Sequence, residues 1–337
     1  MILTLKRKIP LCEIKRIERK IKFYGFKSHI SRGAKDITIA VIGENAILLR
    51  EFFESDRAVH SVAQISKPYK LAGSQIHPSP TVIDVGGAKI GGKHFAIFAG
   101  PCAVESRIQI INIAKAVKNA GARFLRGGAF KPRTSPYSFQ GLGEEGLRYL
   151  AEARDITGLK VVTEVMEISQ IETVVKYADI LQIGARNMQN FNLLREVGKT
   201  NKAVFLKRGM SATISEFLMA AEYVMASGGR KVILCERGIR TFSQETRFTL
   251  DISAVCVLKK ETHLPVVIDP SHASGCRDFV PPLAFAAAAA GADGVMIEVH
   301  TDPQNALSDA AQTIDIPTFT KTVKMLRKLA TLAGKTL

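Results

Sequence analysis

The feature that most constrains the fold is a series of eight short apolar segments, each followed by a charged or metal-binding side chain. The segments cover residues 94–99, 123–125, 160–163, 180–183, 203–206, 231–235, 266–268 and 294–297. Parallel strands that are covered on both faces have this continuous apolar character. Stretches of helical pattern separate the segments, so the chain predicts an α/β fold with eight β/α units, a (β/α)₈ TIM barrel.

The predicted helices between these segments follow the expected spacing of a barrel. They cover residues 106–120, 143–157, 168–177, 188–197, 213–227, 247–262 and 281–290. The C-terminal ends of barrel strands meet at one rim, and active sites of this fold lie there. The polar residues that follow the strands are therefore candidates for a single site, although they are far apart in the sequence.

The first 75 residues predict a separate small α+β domain. Strands are predicted at residues 1–5, 28–31, 37–41 and 59–66, and helices at 11–24 and 45–53. This β-α-β-β-α-β order is typical of a ferredoxin-like module. Residues 76–93 are predicted to form a connector and a hairpin around Gly86 and Gly87 that closes the bottom of the barrel, and residues 94–337 the barrel itself.

The net charge of +16 allows two interpretations. About half of the excess lies in residues 1–80, where 15 Lys and Arg face 7 Asp and Glu. A basic nucleic-acid-binding protein would carry these cations on one outer face. The alternative is a solvated helix face, because Lys15, Arg16 and Arg19 alternate with Ile14 and Ile17 at helical spacing. No zinc-finger, RNA-recognition or helix-turn-helix pattern is present, so we expect no nucleic-acid partner.

The sequence also restricts the compartment. No apolar run reaches the roughly 18 residues of a membrane span, and the N-terminal segment has no signal-peptide pattern. We therefore expect a cytoplasmic protein that binds no membrane. The five cysteines are scattered and odd in number, which does not indicate a disulfide framework.

Four residues near adjacent strand ends form a candidate metal site. Cys102 follows the first barrel strand, His272 the seventh, and Glu298 ends the eighth, with Asp309 in the loop beyond it. The first, seventh and eighth strands become neighbours when the barrel closes. A thiolate, an imidazole and two carboxylates suit a divalent transition metal, although each residue alone could equally be an ordinary buried or capping side chain.

Six cations form a candidate anion site at the same rim: Arg126, Lys131, Arg133, Arg186, Lys207 and Arg237. Cations beside apolar strands are costly unless an anion meets them. The alternative is pairing with Glu164, Glu236 and Asp269, but the cations outnumber these carboxylates. The segment GLGEEG at residues 141–146 follows a loop rather than a strand, so it predicts a helix start and not a dinucleotide site.

These residues occur in segments that resemble the 3-deoxy-D-arabino-heptulosonate 7-phosphate (DAHP) synthases. The segments are AGPCAVE (99–105), RGGAFKPRT (126–134), IGARN (183–187), LKRG (206–209), CERG (235–238) and DPSH (269–272). The resemblance extends over residues 80–337, and the N-terminal module resembles the regulatory extension of one microbial branch of that family.

The resemblance implies metal-dependent condensation of phosphoenolpyruvate with D-erythrose 4-phosphate, the first step of the shikimate pathway. It implies a divalent cation such as Mn, Fe, Co or Zn on Cys102, His272, Glu298 and Asp309. Arg126 and Lys131 would hold the carboxylate of phosphoenolpyruvate. Its phosphate would contact Arg186, Lys207 and Arg237, with Ala185 beside them. Arg133 and Thr134 would hold the sugar phosphate. Lys131 or Glu164 would relay the proton, alongside Cys102 and His272 in the catalytic set.

Two further expectations follow from the resemblance. Residues 1–75 would bind tyrosine or phenylalanine as a feedback inhibitor, or would only assist assembly, and the chain would form a homo-oligomer, by resemblance a tetramer. The nearest alternative function is 3-deoxy-D-manno-octulosonate 8-phosphate synthase, which uses arabinose 5-phosphate. That family typically has Lys-Ala-Asn-Arg where this chain has KPRT at residues 131–134. A catalytically dead homologue is disfavoured because every proposed ligand is present.

Overall fold

The structure is a computed structural model that describes residues 1–6, 9–32, 37–43, 45–63, 67–132 and 135–337. The chain divides into two compact units. Unit 1 comprises residues 1–80 together with 261–263, and unit 2 comprises residues 81–260 and 264–337.

Unit 1 is a four-stranded antiparallel sheet with helices that bury one face. Its elements are β1 (Ile2–Leu5), α1 (Leu11–Phe23), β2 (Lys27–Arg32), β3 (Ile37–Ile42), a 3₁₀ turn (Ala46–Leu49), α2 (Arg50–Glu54) and β4 (Val59–Ala63). The strand order is β2-β3-β1-β4, which confirms the ferredoxin-like prediction. Ile14, Ile17 and Ile21 form the apolar stripe of α1 and pack on the sheet with Phe53. The last predicted strand residues, 64–66, lie outside the described residues.

Unit 2 is a closed barrel of eight parallel strands. A hairpin precedes it, β5 (Ile83–Val85) and β6 (Ala88–Ile90). The barrel strands are β7 (Ala96–Gly100), β8 (Phe124–Arg126), β9 (Lys160–Glu164), β10 (Ile180–Ile183), β11 (Ala203–Lys207), β12 (Val232–Glu236), β13 (Val266–Ile268) and β14 (Gly294–Glu298). The predicted TIM barrel is thus confirmed. All eight predicted segments are strands. Five charged residues expected to follow the apolar segments are in fact the last residues of the strands: Arg126, Glu164, Lys207, Glu236 and Glu298.

Helices follow the strands around the barrel. They are α3 (Arg107–Ala120), α4 (Glu144–Thr157), α5 (Ile171–Tyr177), α6 (Phe191–Gly198), α7 (Ile214–Ala226), α8 (Ser253–Glu261), α9 (Pro270–Ser274), α10 (Val280–Ala289) and α11 (Ile316–Leu332). The helix predicted from residue 247 was wrong at its start, because α8 begins only at Ser253. None of the helices in the described part of the chain combines the length and the apolar composition that a membrane span requires.

The barrel interior is closed at the N-terminal ends of its strands. Gly86 and Gly87 both have positive φ, the conformation that a two-residue hairpin turn requires. The hairpin contributes Ile83, Val85, Ala88 and Ile90 to a buried cluster with interior residues of the strands, including Phe98, Phe124 and Phe205. At the opposite rim, β14 pairs with β7, and Glu298 lies beside Gly100. Closure therefore brings the beginning and the end of the barrel sequence together.

Asp56 links α1 to the turn before β4 in unit 1. Its carboxylate accepts hydrogen bonds from Arg16 at 2.6 and 2.8 Å, from Lys20 at 2.8 Å and from the Ala58 amide at 3.1 Å. The Arg16 guanidinium, with Lys20, holds the pKa of Asp56 well below its ordinary value. A carboxyl with a lowered pKa stabilises the fold above its unfolded pKa of about 4, and this contribution is lost as the pH falls.

We expect Asp56→Asn to lower the stability of unit 1 by about 2 kcal/mol at pH 7, since charged hydrogen bonds contribute this much. The difference from the unaltered chain should shrink as the pH falls below about 4, because the unfolded chain then takes up a proton on Asp56 that the folded state resists. Hydrogen exchange of peptides from residues 1–63, corrected for intrinsic rates, measures both effects. Glu54→Gln, in an exposed pair with Arg50, is the control and should leave protection unchanged. A constant difference at every pH would contradict the assignment.

Candidate active site

Four potential metal donors converge at the C-terminal rim of the barrel. The donor atoms of Cys102, His272, Glu298 and Asp309 all lie within 4.8 Å of one another. Sγ of Cys102 is 3.0 Å from Oδ2 of Asp309, and Nε2 of His272 is 3.4 Å from Oε1 of Glu298. One sulfur, one nitrogen and two oxygens from three neighbouring strand ends form a donor set that fits a divalent transition metal.

Asp269 orients the histidine of this group. The Asp269 carboxylate caps α9 by accepting the amide N–H of His272 at 2.9 Å. Its Oδ2 also lies 2.7 Å from Nδ1 of His272, in close contact although not aligned as a hydrogen bond. Burial lowers the pKa of His272, which favours the neutral ring. The arrangement turns Nε2 toward the other donors, as a carboxylate behind a ligating histidine commonly does.

The Cys102 side chain is buried between the donors and Lys131. Nζ of Lys131 lies 2.9 Å from both Sγ and the carbonyl oxygen of Cys102. Burial, together with the Glu298 charge, raises the pKa of the Cys102 thiol to about 12. The chain's own groups therefore leave the sulfur protonated, and a bound cation would be needed to make it a thiolate ligand.

Ion pairs neutralise part of the cationic group. Arg126 pairs with Glu298 at 3.0 Å and Lys207 with Asp269 at 2.6 Å, and all four side chains are buried. Glu236 does not pair with a predicted site cation. Its Oε2 accepts from Arg208 at 2.8 Å instead, so it leaves the charge of the neighbouring Arg237 in place.

Two buried guanidinium groups keep N–H atoms without a partner among the described residues, Nε of Arg126 and Nη1 of Arg237. Arg237 packs on the ring of Phe248, with Cζ 4.2 Å from the ring centroid, and burial lowers its pKa. Both residues line a cavity of about 320 Å³ together with Lys131, Arg186 and Lys207. Buried donors that the protein leaves unpaired are costly, so the cavity is suited to an anion.

A single carboxylate, Glu164, lines the part of this cavity formed by β9 and β10. Nε2 of Gln182 donates to its Oε2 at 3.3 Å. Gly184 makes room for the carboxylate, because a Cβ at this position would lie 2.1 Å from Oε1 of Glu164. The geometry thus presents one acidic group on this side of a cavity that is rich in cations, while Asp309 lines the side of the donor group.

The remaining predicted residues fall into two groups. Ala185 and Arg186 lie in a 3₁₀ turn after β10 and line the cavity. Arg133 and Thr134 lie outside the described residues. The buried Lys131, Lys207, Arg126 and Arg237 face this cavity rather than an outer face of the barrel, which favours a small anionic ligand over a nucleic-acid surface.

Sequence reasoning missed two arginines at the rim. Arg208 is buried and bridges Glu236 and Asp251, at 2.8 and 2.9 Å. Arg247 lines the cavity and donates from Nη1 to Oδ1 of Asp309 at 3.2 Å. The apolar pattern after residue 247 predicted a helix there, and no local signal marks Arg247 as part of a loop that reaches the site.

Comparison with known families gives two matches that together span most of the chain. Residues 74–333 match the DAHP synthetase I family. Residues 1–67 match the DAHP synthase ferredoxin-like domain.

Individual relatives extend this similarity. The chain is 50% identical over 334 residues to phospho-2-dehydro-3-deoxyheptonate aldolase from Thermotoga maritima, covering 99% of each sequence. The crystal structure of the enzyme of that name from T. maritima has a TM-score of 0.79 at 49% identity, over 99% of this chain and 98% of that one. A 2-dehydro-3-deoxyphosphooctonate aldolase from Rhodopseudomonas palustris is 33% identical over 77% of this chain and 96% of its own length.

We expect Cys102→Ser and His272→Ala each to weaken divalent metal binding by at least about 100-fold, because loss of even an outer-shell partner costs 10- to 100-fold. Competition with a fluorescent chelator and elemental analysis after dialysis measure the affinity and the content. Cys256→Ser removes an exposed thiol outside the group and should bind metal normally. Unchanged affinity in both ligand variants would show that these side chains do not hold the metal.

Proposed function

This chain belongs to the DAHP synthetase I family, and from that premise we propose that it condenses phosphoenolpyruvate with D-erythrose 4-phosphate. The products are 3-deoxy-D-arabino-heptulosonate 7-phosphate and inorganic phosphate, and the reaction opens the shikimate pathway of aromatic amino acid biosynthesis. The observation that carries the proposal is a pair of buried guanidinium groups, Arg126 and Arg237. Each has one N–H atom without a partner among the described residues, and both residues line a cavity that His272 and Asp309 of the Cys-His-Glu-Asp group also line.

The donor set supports a metal-dependent reaction. Its thiol, neutral imidazole and carboxylates suit Mn, Fe, Co or Zn rather than a purely oxygen-liganded ion. A cation held by Cys102, His272, Glu298 and Asp309 would supply a Lewis acid for the aldehyde oxygen of erythrose 4-phosphate.

The cations divide between the anionic groups of the two substrates. In this proposal Arg126 and Lys131 bind the carboxylate of phosphoenolpyruvate. Its phosphate is held by Arg186, Lys207 and Arg237, next to Ala185, and the sugar phosphate is held by Arg133 and Thr134. Planar guanidinium groups suit bidentate contacts with both kinds of anion. Holding two mutually repelling anions in attack geometry removes several kcal/mol from the barrier.

The bond changes follow from the chemistry of an enol phosphate and an aldehyde. C3 of phosphoenolpyruvate attacks the aldehyde carbon, a C–C bond forms, and the carbonyl electron pair moves onto the sugar oxygen. Water then adds to the electron-poor C2 and releases a proton. The resulting hemiketal phosphate loses inorganic phosphate by cleavage of its C2–O bond, which leaves the ketone of the product.

Two side chains are suited to the proton transfers. Lys131, whose Nζ lies 2.9 Å from Sγ of Cys102, would donate a proton to the sugar oxygen. Glu164, which Gln182 contacts through a neutral amide, would accept the proton that the attacking water releases. This division is supported by the lack of a second carboxylate on the Glu164 side of the cavity among its described lining residues.

The alternative acceptor, arabinose 5-phosphate, has weaker support. The octulosonate relative is 33% identical and covers 77% of this chain, whereas the heptonate relative is 50% identical over 99%. The match of residues 1–67 to a DAHP synthase ferredoxin-like domain also favours the four-carbon sugar.

The ferredoxin-like module gives the chain a regulatory function in this proposal. Residues 1–75 would bind tyrosine or phenylalanine, residues 76–93 would connect the module to the barrel, and residues 94–337 would carry the reaction. We further propose a cytoplasmic homo-oligomer, a tetramer by analogy with the family.

The acceptor can be tested by phosphate release from phosphoenolpyruvate with each sugar. We expect kcat/KM for erythrose 4-phosphate to exceed that for arabinose 5-phosphate by at least about 100-fold, a ratio within reach of pocket contacts. Release should require added divalent metal after chelation. Equal rates with both sugars, or a preference for the five-carbon sugar, would overturn the assignment.

Regulation can be tested by removing residues 1–75. The structure of a truncated form of the T. maritima synthase, which aligns with 80% of this chain, has been solved, and this supports a barrel that folds independently. We expect the shortened chain to retain turnover and to lose inhibition by tyrosine or phenylalanine. Inhibition of equal strength before and after truncation would place the inhibitor site elsewhere.

A further inference from the structure

The two carboxylates of the candidate metal group are joined behind the site by a pair of side chains, Arg247 and Gln312. Arg247 belongs to the segment between β12 and α8, and Gln312 to the segment between β14 and α11. Nη1 of Arg247 donates to Oε1 of Gln312 at 3.0 Å. We call this pair the Arg247–Gln312 bridge.

At one end the bridge holds Asp309. Oδ2 of Asp309 faces the donor group, 3.0 Å from Sγ of Cys102, while Oδ1 accepts from Nη1 of Arg247 at 3.2 Å. The backbone of Asp309 has a φ of 54°, a left-handed conformation uncommon outside glycine. Thr313 secures it through a hydrogen bond from Oγ1 to the Asp309 carbonyl at 2.9 Å.

At the other end the bridge holds Glu298. Oε1 of Glu298 faces His272 at 3.4 Å and accepts from Arg126 at 3.0 Å. Oε2 accepts from Nε2 of Gln312 at 2.5 Å. Gln312 is 2% exposed, so its amide is buried with one group donating to a carboxylate and the other accepting from an arginine. Its two ends have complementary roles, and neither Glu nor Met could fill both.

We infer that Arg247 and Gln312 are positioning residues that restrict each of these two carboxylates to one metal-facing oxygen. The inference rests on the metal centre proposed above. A carboxylate with both oxygens free can rotate and bind an ion through both of them. With one oxygen of each carboxylate held by the bridge, the group would offer a metal one sulfur, one nitrogen and two oxygens rather than four oxygens.

The loop that carries Asp309 has a separate backbone anchor, which allows the bridge to be tested apart from loop order. Nη2 of Arg277 donates to the carbonyl of Ala310 at 2.8 Å, and the Arg277 amide donates to the carbonyl of Ala311 at 2.9 Å. Neither contact involves a side chain of the donor group. Arg277→Met is therefore a matched control that removes an arginine contact to the same loop without touching a carboxylate ligand.

The test compares the full-length protein with Arg247→Met, Gln312→Met, the double variant and Arg277→Met. Two measurements besides turnover are made with Co²⁺ alone: its dissociation constant by chelator competition, and its visible absorption, which reports ligand number and geometry. We expect each bridge variant to bind Co²⁺ about 10- to 100-fold more weakly and to shift the absorption bands. Arg277→Met should keep both properties.

The double variant separates a connected bridge from two independent contacts. If Arg247 and Gln312 act together, the double variant should lose little more affinity than the weaker-binding single variant. Losses that simply add, normal Co²⁺ binding in both single variants, or an equal loss in Arg277→Met would each overturn the inference. The side chain of Arg247 is 40% exposed, so Arg247→Met tests the bridge even if Gln312→Met fails to fold.

The metal centre and the bridge fail in different ways. If the unaltered chain binds no Co²⁺, the proposed metal centre is contradicted, and the inference about the bridge with it. If the unaltered chain binds Co²⁺ through a thiolate, and the Arg247 and Gln312 variants have the same affinity and spectrum, only the inference about the bridge is contradicted.

Discussion

The site depends on one fully buried carboxylate, Asp269, which joins its two halves. Oδ2 accepts from Lys207 at 2.6 Å and lies 2.7 Å from the His272 ring, while Oδ1 caps the short helix that carries this histidine. Burial alone would raise the pKa of Asp269, but His272, through contacts that include the hydrogen bond from its amide, and the Lys207 ammonium more than offset it and hold the pKa well below its ordinary value. The charge of Asp269 therefore positions two groups at once: the His272 ring beside the metal donors, and the Lys207 ammonium at the cavity.

Other charges at the site also pair with a neighbour, but Arg237 keeps an N–H group without a described partner. Glu298 neutralises Arg126, and Arg208 takes up Glu236. Arg237 instead stacks on Phe248 with an N–H group that no described residue accepts. A buried cation in this state costs free energy that only an incoming anion recovers.

The barrel was predictable because its sequence pattern is local. Each strand is a short, continuous apolar run with a polar residue at or just after its end. In β11, for example, residues 203–206 are apolar and Lys207 is the last residue of the strand. The start of α8 was not predictable in the same way. The segment after Arg247 has apolar residues at helical spacing, but the structure uses residues 239 and 249 as a β-bridge and holds Arg247 toward the rim. There, contacts with a distant loop outweighed the local pattern.

The sequence by itself determined the eight-unit barrel, the ferredoxin-like module, and the residue types that meet at the rim, because strand and helix periodicity and strand-end chemistry are written within a few consecutive residues. Only the tertiary structure decided which charges pair. It assigned Asp269 to Lys207 and His272, Glu236 to Arg208 instead of a site cation, and Gln312 to the space between Arg247 and Glu298. Hydrogen bonds act over about 3 Å, and the partners come from loops up to scores of residues apart, so their pairing exists only after the barrel has closed.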